Sequence, residues 1–169
     1  WPFAADGRGS SLELRDPDAD NSRGLAWAAS DESGKSSWKT YTYQGAAKRS
    51  SLGPDRTWEE FVMGMLAEGV VLLDDISVIQ EPNCEAIEII QNGSFEGDTV
   101  GEHADKWRLI GNHRHSQVVV DPDDPNNKVL RFVSTGATEH MHNHAETTLK
   151  HGDEFVDIRN GFEYKISYK

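Results

Sequence analysis

Three histidines at alternate positions, His140, His142 and His144 in EHMHNHAETTL, have the type and spacing to do chemistry. Neutral imidazole is a common zinc ligand, held at about 2.0–2.1 Å. On an extended strand such residues share a face at roughly 6.5–7 Å intervals, so three from one strand converge on an ion with difficulty. His113 and His115 of GNHRHS form a second alternating pair that could face them across a sheet. The favoured reading is a polar strand face or a hydrogen-bonding groove that takes a ligand. A metal-dependent enzyme built on His140, His142 and His144 is the alternative. No HExxH frame and no cysteine pair accompanies them.

Asp16, Asp18 and Asp20 in DPDADN have the 1, 3, 5 spacing of a calcium loop, which turns alternate carboxylates inward onto a hard cation. The rest of that loop is missing: the sixth position is Asn21 and the twelfth is Trp27. Pro125 interrupts the spacing in DPDDPNN. Both segments read first as tight turns in which Asp and Pro act without metal. Sugar recognition asks for flat aromatic faces beside polar side chains. Trp38, Tyr41, Tyr43, Trp58, Trp107 and Tyr164 qualify by type, but burying an aromatic side chain is worth a few kcal/mol, so most belong in a core. Tyr41 and Tyr43, opposite Trp38 in SWKTYTY, are the expected exposed pair. No nucleophile elbow or phosphate loop is present, and no spacing singles out a glycosidase carboxylate pair.

The elements that must hold these residues are short strands. SLELR, SWKTYTY, SQVVVD, KVLRFVS and FEYKISYK alternate apolar and polar residues or run apolar, bounded by Gly, Pro, Asn or Asp. GVVLLDDISVI is apolar except at Asp74 and Asp75. The expected class is all-β: an antiparallel sandwich or jelly roll with at most one or two short helices. TWEEFVMGMLAEG carries helical spacing and a capping box from Thr57 to Glu60, but its surroundings and Gly64 favour a strand. DNSRGLAWAAS is expected to hold one helical turn. Pro82 and Asn83 mark a junction over 83–87, separating a module ending near residue 82 from another spanning 88–169.

The 169 residues carry 29 Asp plus Glu against 17 Lys plus Arg, which opposes binding to a nucleic-acid backbone. No apolar stretch approaches the roughly 20 residues of a membrane span, so no membrane insertion is expected. The single cysteine, Cys84, forms no intrachain disulfide and reads as a small half-buried hydrophobe. A start at Trp1 and an end in an alternating run are read as those of a piece of something longer.

IIQNGSFEGD followed by Trp107, with VVLLDDISVI upstream, resembles the opening and closing strands of carbohydrate-binding jelly rolls, here in reversed order. Residues 1–82 then look like the later part of one module, lamin-tail-like or jelly-roll, and 88–169 like the early part of a second. Together with LELRDPDADNSRGLAWAASDES and YKISYK, the pattern resembles large multi-domain bacterial surface proteins that combine lamin-tail-type domains, carbohydrate-binding-like jelly rolls and a spore-coat-type kinase-like domain. The resemblance implies a non-catalytic extracellular binding or adhesion module, directed at a polysaccharide or cell-surface glycan and flanked by neighbouring domains of the same chain. It also implies a structural Ca2+ held by Asp74, Asp75 and Glu96, provided the two half-modules pack together; without it these are turn-capping carboxylates. A spacer domain without a ligand is the remaining alternative.

Overall fold

The computed structural model describes residues 5, 11–30, 36–48, 58–136 and 143–169. The chain is all-β, as expected, and its strands pair antiparallel. Two compact units divide it, one ending at Trp38 and the other running from Lys39 to Lys169. In the first unit, β1 (Leu12–Leu14) pairs with β2 (Trp27–Ala29), placing Leu14 opposite Trp27. The helical turn expected before Trp27 is a single 3-10 turn, Gly24–Ala26.

The second unit contains β3 (Tyr41–Ala46), β4 (Glu60–Met63), β5 (Gly69–Leu73), β6 (Ser77–Gln80), β7 (Ile87–Glu88), β8 (Trp107–Leu109), β9 (Gln117–Val120), β10 (Lys128–Ser134), β11 (Ala145–Thr148), β12 (Lys150–His151), β13 (Glu154–Phe155) and β14 (Glu163–Tyr168). They form sheets ordered β5-β10-β9, β4-β11-β8 and β3-β14-β6-β7, with β12-β13 a small hairpin. EFVM is a strand because pairing to β11 rewards its two-residue period: Phe61 and Met63 pack on the core, while Glu60 and Val62 face out. Leu66, which a helical stripe would bury, is 87% exposed.

The run GVVLLDDISVI breaks at Asp74–Ile76 into β5 and β6. At the break, Asp74 and Lys169 exchange backbone hydrogen bonds of 2.9 and 2.8 Å, which tie the β5 sheet to the end of β14. The NGSFE segment is not a strand; it follows β7 as a bend and sends Phe95 into the core. Gly93 is required there: its carbonyl accepts from Ile76 N–H at 3.0 Å, and a Cβ at that position would run into the Ile76 carbonyl.

Leu73, Val118, Leu130 and Phe132 from the β5-β10-β9 sheet pack on Phe61, Met63, Trp107, Leu109 and Ala145 from the β4-β11-β8 sheet, which is sandwich packing. A second cluster joins Val78, Tyr164 and Ile166 of the β14 sheet to Ile89 and Leu149. The expected junction at 83–87 lies in a turn from Glu81 to Ala86, closed by Cys84 N–H and Ala86 N–H on the Glu81 carbonyl at 2.9 and 3.1 Å. Strands on its two sides share sheets: β5 pairs with β10, β4 with β11, and β3 and β6 with β14. Both sides of the junction thus lie within one compact unit, whose boundary is at Lys39.

Candidate functional site

Tyr41, Tyr43 and Gly45 occupy one face of β3, opposite Tyr168, Ile166 and Tyr164 of β14. This face turns toward the second core cluster, but β3 lies at the edge of its sheet. Tyr41 and Tyr43 remain 54% and 68% exposed. Tyr41 stacks on Tyr168 with ring centroids 5.4 Å apart and planes 26° apart. Beside Tyr43 lies an apolar cleft of about 240 Å³, bounded by Gly45, Glu60, Phe61, Val78, Leu149, Ile158, Tyr164 and Ile166. The cleft lies between β3 and β4, which are edge strands of different sheets.

Glu60 joins this cleft to a polar row on the outward face of β4-β11-β8. In register, Glu60 lies opposite Thr148, and Glu146 lies between Val62 and Arg108. Arg108 donates through Nε to Glu146 Oε1 at 2.5 Å, through Nη1 to Thr148 Oγ1 at 3.2 Å, and through Nη2 to Glu60 Oε1. The hydrogen bond to Glu146 chiefly raises the Arg108 pKa above its ordinary value. Partial burial pushes the Glu146 carboxyl up, but hydrogen bonds from Arg108 and His144 outweigh it and hold the group below the usual range. The row therefore presents fixed charges and hydrogen-bonding oxygens next to an apolar cleft with an exposed ring.

The expected histidine set separates. His113 is fully buried at the end of the 3-10 turn Gly111–His113 and packs against Phe132, ring centroids 4.4 Å apart and planes tilted by 34°. Its Nε2 accepts from Met65 N–H at 3.2 Å and its Nδ1 lies 2.8 Å from the Val133 carbonyl, so it is the Nδ1–H tautomer with both nitrogens in use. His115 is exposed, and its Nε2 accepts from Arg114 Nε at 3.2 Å. His144 precedes β11, with Nε2 2.9 Å from Glu146 Oε2, and so belongs to the polar row. His140 and His142 lie outside the described residues.

The carboxylates are engaged locally. Asp16 Oδ1 accepts from Asp18 N–H at 2.9 Å. Asp20 takes the Ser22 hydroxyl and amide at 2.6 and 3.1 Å and Arg23 Nε at 3.2 Å; the Ser22 hydroxyl does most to lower its pKa. Asp16, Asp18 and Asp20 thus sit in Asx-type turns. Asp74 is buried, with Oδ1 accepting from Asp75 N–H at 2.8 Å and Oδ2 from Asn127 Nδ2 at 3.0 Å. The same Asn127 amide reaches buried Asp121 at 3.0 Å. Burial raises the Asp74 pKa, against these hydrogen bonds. Asp75 is exposed at φ 49, and Glu96 Oε1 accepts from Lys128 N–H at 3.0 Å. Lys128 Nζ donates to the Glu96 and Asp98 carbonyls at 2.8 and 2.7 Å. Among the described residues, no three His, Cys, Asp or Glu side chains are grouped to hold a metal ion, and Asp74, Asp75 and Glu96 do not fit a calcium cage.

Glu60, Arg108 and Glu146 are the residues that sequence reasoning missed. Their signal was the polar position between inward residues in EFVM, WRL and AETT, but only the strand register brings the three together. No protein-family model, no curated protein and no solved structure matches this chain.

Proposed function

We propose that this chain is a non-catalytic carbohydrate-binding module of a larger bacterial surface protein, working outside the cell, with its glycan site at the β3 edge. The observation that carries the site is the exposure of Tyr41 and Tyr43, 54% and 68%, on the sheet face that elsewhere makes core. Leaving the two rings 54% and 68% exposed forgoes roughly 1–2 kcal/mol of burial each, which fits a surface kept open for a ligand. A sugar ring has an apolar C–H face and a rim of hydroxyls. Tyr43 and the cleft suit the first, and the oxygens of Glu60, Glu146 and Thr148 suit the second. The surface location and the bacterial setting rest on the jelly-roll and lamin-tail resemblance.

A glycan array probed with the 169-residue chain tests the proposal. Binding to a defined set of glycans, lost in a Tyr41→Ala/Tyr43→Ala variant, is the expected outcome. Absence of binding across the array contradicts it and favours the spacer reading.

A further inference from the structure

Tyr43 and Gly45 are two residues apart on one strand face, and the tyrosine ring lies along the strand over the glycine. A Cβ built on Gly45 would stand 2.8 Å from Tyr43 Oη, 3.2 Å from Cζ and 3.4 Å from Cε1. Glycine inside a strand weakens it and often marks a close approach by another group. The approaching group here is the hydroxyl end of the Tyr43 ring, seated where any other residue would push it away. The obstructing atoms belong to the mobile end of a side chain, so a larger residue at 45 would move the ring and leave the backbone in place.

Charge at the rim narrows the ligand. Glu60 and Glu146 are carboxylates, and Arg108 gives its Nε, Nη1 and Nη2 to Glu146, Thr148 and Glu60. Its positive charge is therefore already neutralised within the row. The whole chain has a formal charge of −12. Sulfated or uronic glycans would meet repulsion, while neutral hydroxyls would find acceptors.

We infer that Gly45 is the positioning residue of the aromatic platform, and that the site it shapes takes the apolar face of a neutral pyranose in preference to an anionic glycan. This rests on the glycan-binding reading above. Two measurements on the whole chain test it. In NMR spectra, the Gly45 Hα protons give a strong NOE to the Tyr43 Hε protons that is absent in Tyr43→Leu; no such NOE in the native chain overturns the seating. In calorimetric titrations, cellohexaose, xylohexaose and mannohexaose are set against heparin and alginate oligosaccharides. At least one neutral hexaose binds, about tenfold more weakly in Gly45→Val, and the anionic ligands do not bind. The Gly45→Val variant keeps the native circular dichroism and melting temperature. Unchanged affinity in Gly45→Val, or preference for the anionic ligands, overturns the inference while leaving glycan binding intact. If neither ligand class binds, the glycan reading and the ligand class fall together, and the Gly45–Tyr43 NOE alone decides the seating.

Discussion

WRL on β8 and YTY on β3 have the same pattern, an outward polar residue beside an inward aromatic one, yet they serve opposite ends. Trp107 is 6% exposed, packs edge-on against Phe61 with centroids 6.3 Å apart, and donates its indole N–H to the Asn92 carbonyl at 3.0 Å. Tyr43 is 68% exposed and rests on a glycine. The difference lies in what stands opposite. Both are edge strands, but β8 faces a second sheet across a packed core, whereas β3 lies beside an open cleft. Aromatic content and edge position therefore do not separate core from site; what packs against the ring does.

The sharpest way to break this comparison is to remove the buried member. Trp107→Ala should cost about 3–5 kcal/mol of unfolding free energy, measured by urea denaturation; a loss below about 1 kcal/mol would mean that Trp107 is not a core anchor. His113→Leu comes next. It leaves Met65 N–H without its acceptor and removes a donor from the Val133 carbonyl in a buried place, at an expected cost of about 2–3 kcal/mol in the same assay. If the substitution were neutral, the imidazole would not be serving as a core hydrogen-bonding group.

Thr147 points the other way. It is fully buried, and among the described residues its hydroxyl has no partner. Replacing that hydroxyl by a methyl in Thr147→Val should raise stability by about 1 kcal/mol. Destabilisation would reveal a bond to the hydroxyl.

A smaller effect is expected at Asp74, where burial raises the carboxyl pKa above the ordinary value of about 3.9. The folded chain then holds the proton more firmly than the unfolded chain does. The stability linked to that proton is complete below the ordinary value and is lost as pH rises through the raised one. Asp74→Asn removes this titration. Thermal melts from about pH 4 upward should show the native chain losing stability relative to the variant, and parallel curves would place the Asp74 titration elsewhere.

Much of the fold was legible in two-residue periodicity. SQVVVD, KVLRFVS and FEYKISYK became β9, β10 and β14 because alternation and Asp- or Gly-rich turns are local properties. The exposure of Tyr41 and Tyr43 was legible for the same reason: the two-residue period of SWKTYTY groups them away from Trp38, and the structure leaves both exposed. The histidines were not legible. GNHRHS reads as an alternating pair, yet His113 lies at the end of a 3-10 turn and points into the core, where Phe132 and the Val133 carbonyl, some 20 residues away, receive it. The Arg108 row was hidden too, because Glu60 and Glu146 reach Arg108 only through pairings that span 48 and 38 residues. Long-range register follows from the whole sheet and leaves no mark in any one segment.

Tyr43 itself gives the most direct measurement. Calorimetric titration of the native chain and the Tyr43→Ala variant with the tightest-binding glycan of the array compares affinity and stability at one exposed position. A surface platform predicts at least a tenfold loss of affinity with stability unchanged within about 0.5 kcal/mol. Equal affinity in the two proteins, or a variant that unfolds, would contradict a glycan site at the β3 edge.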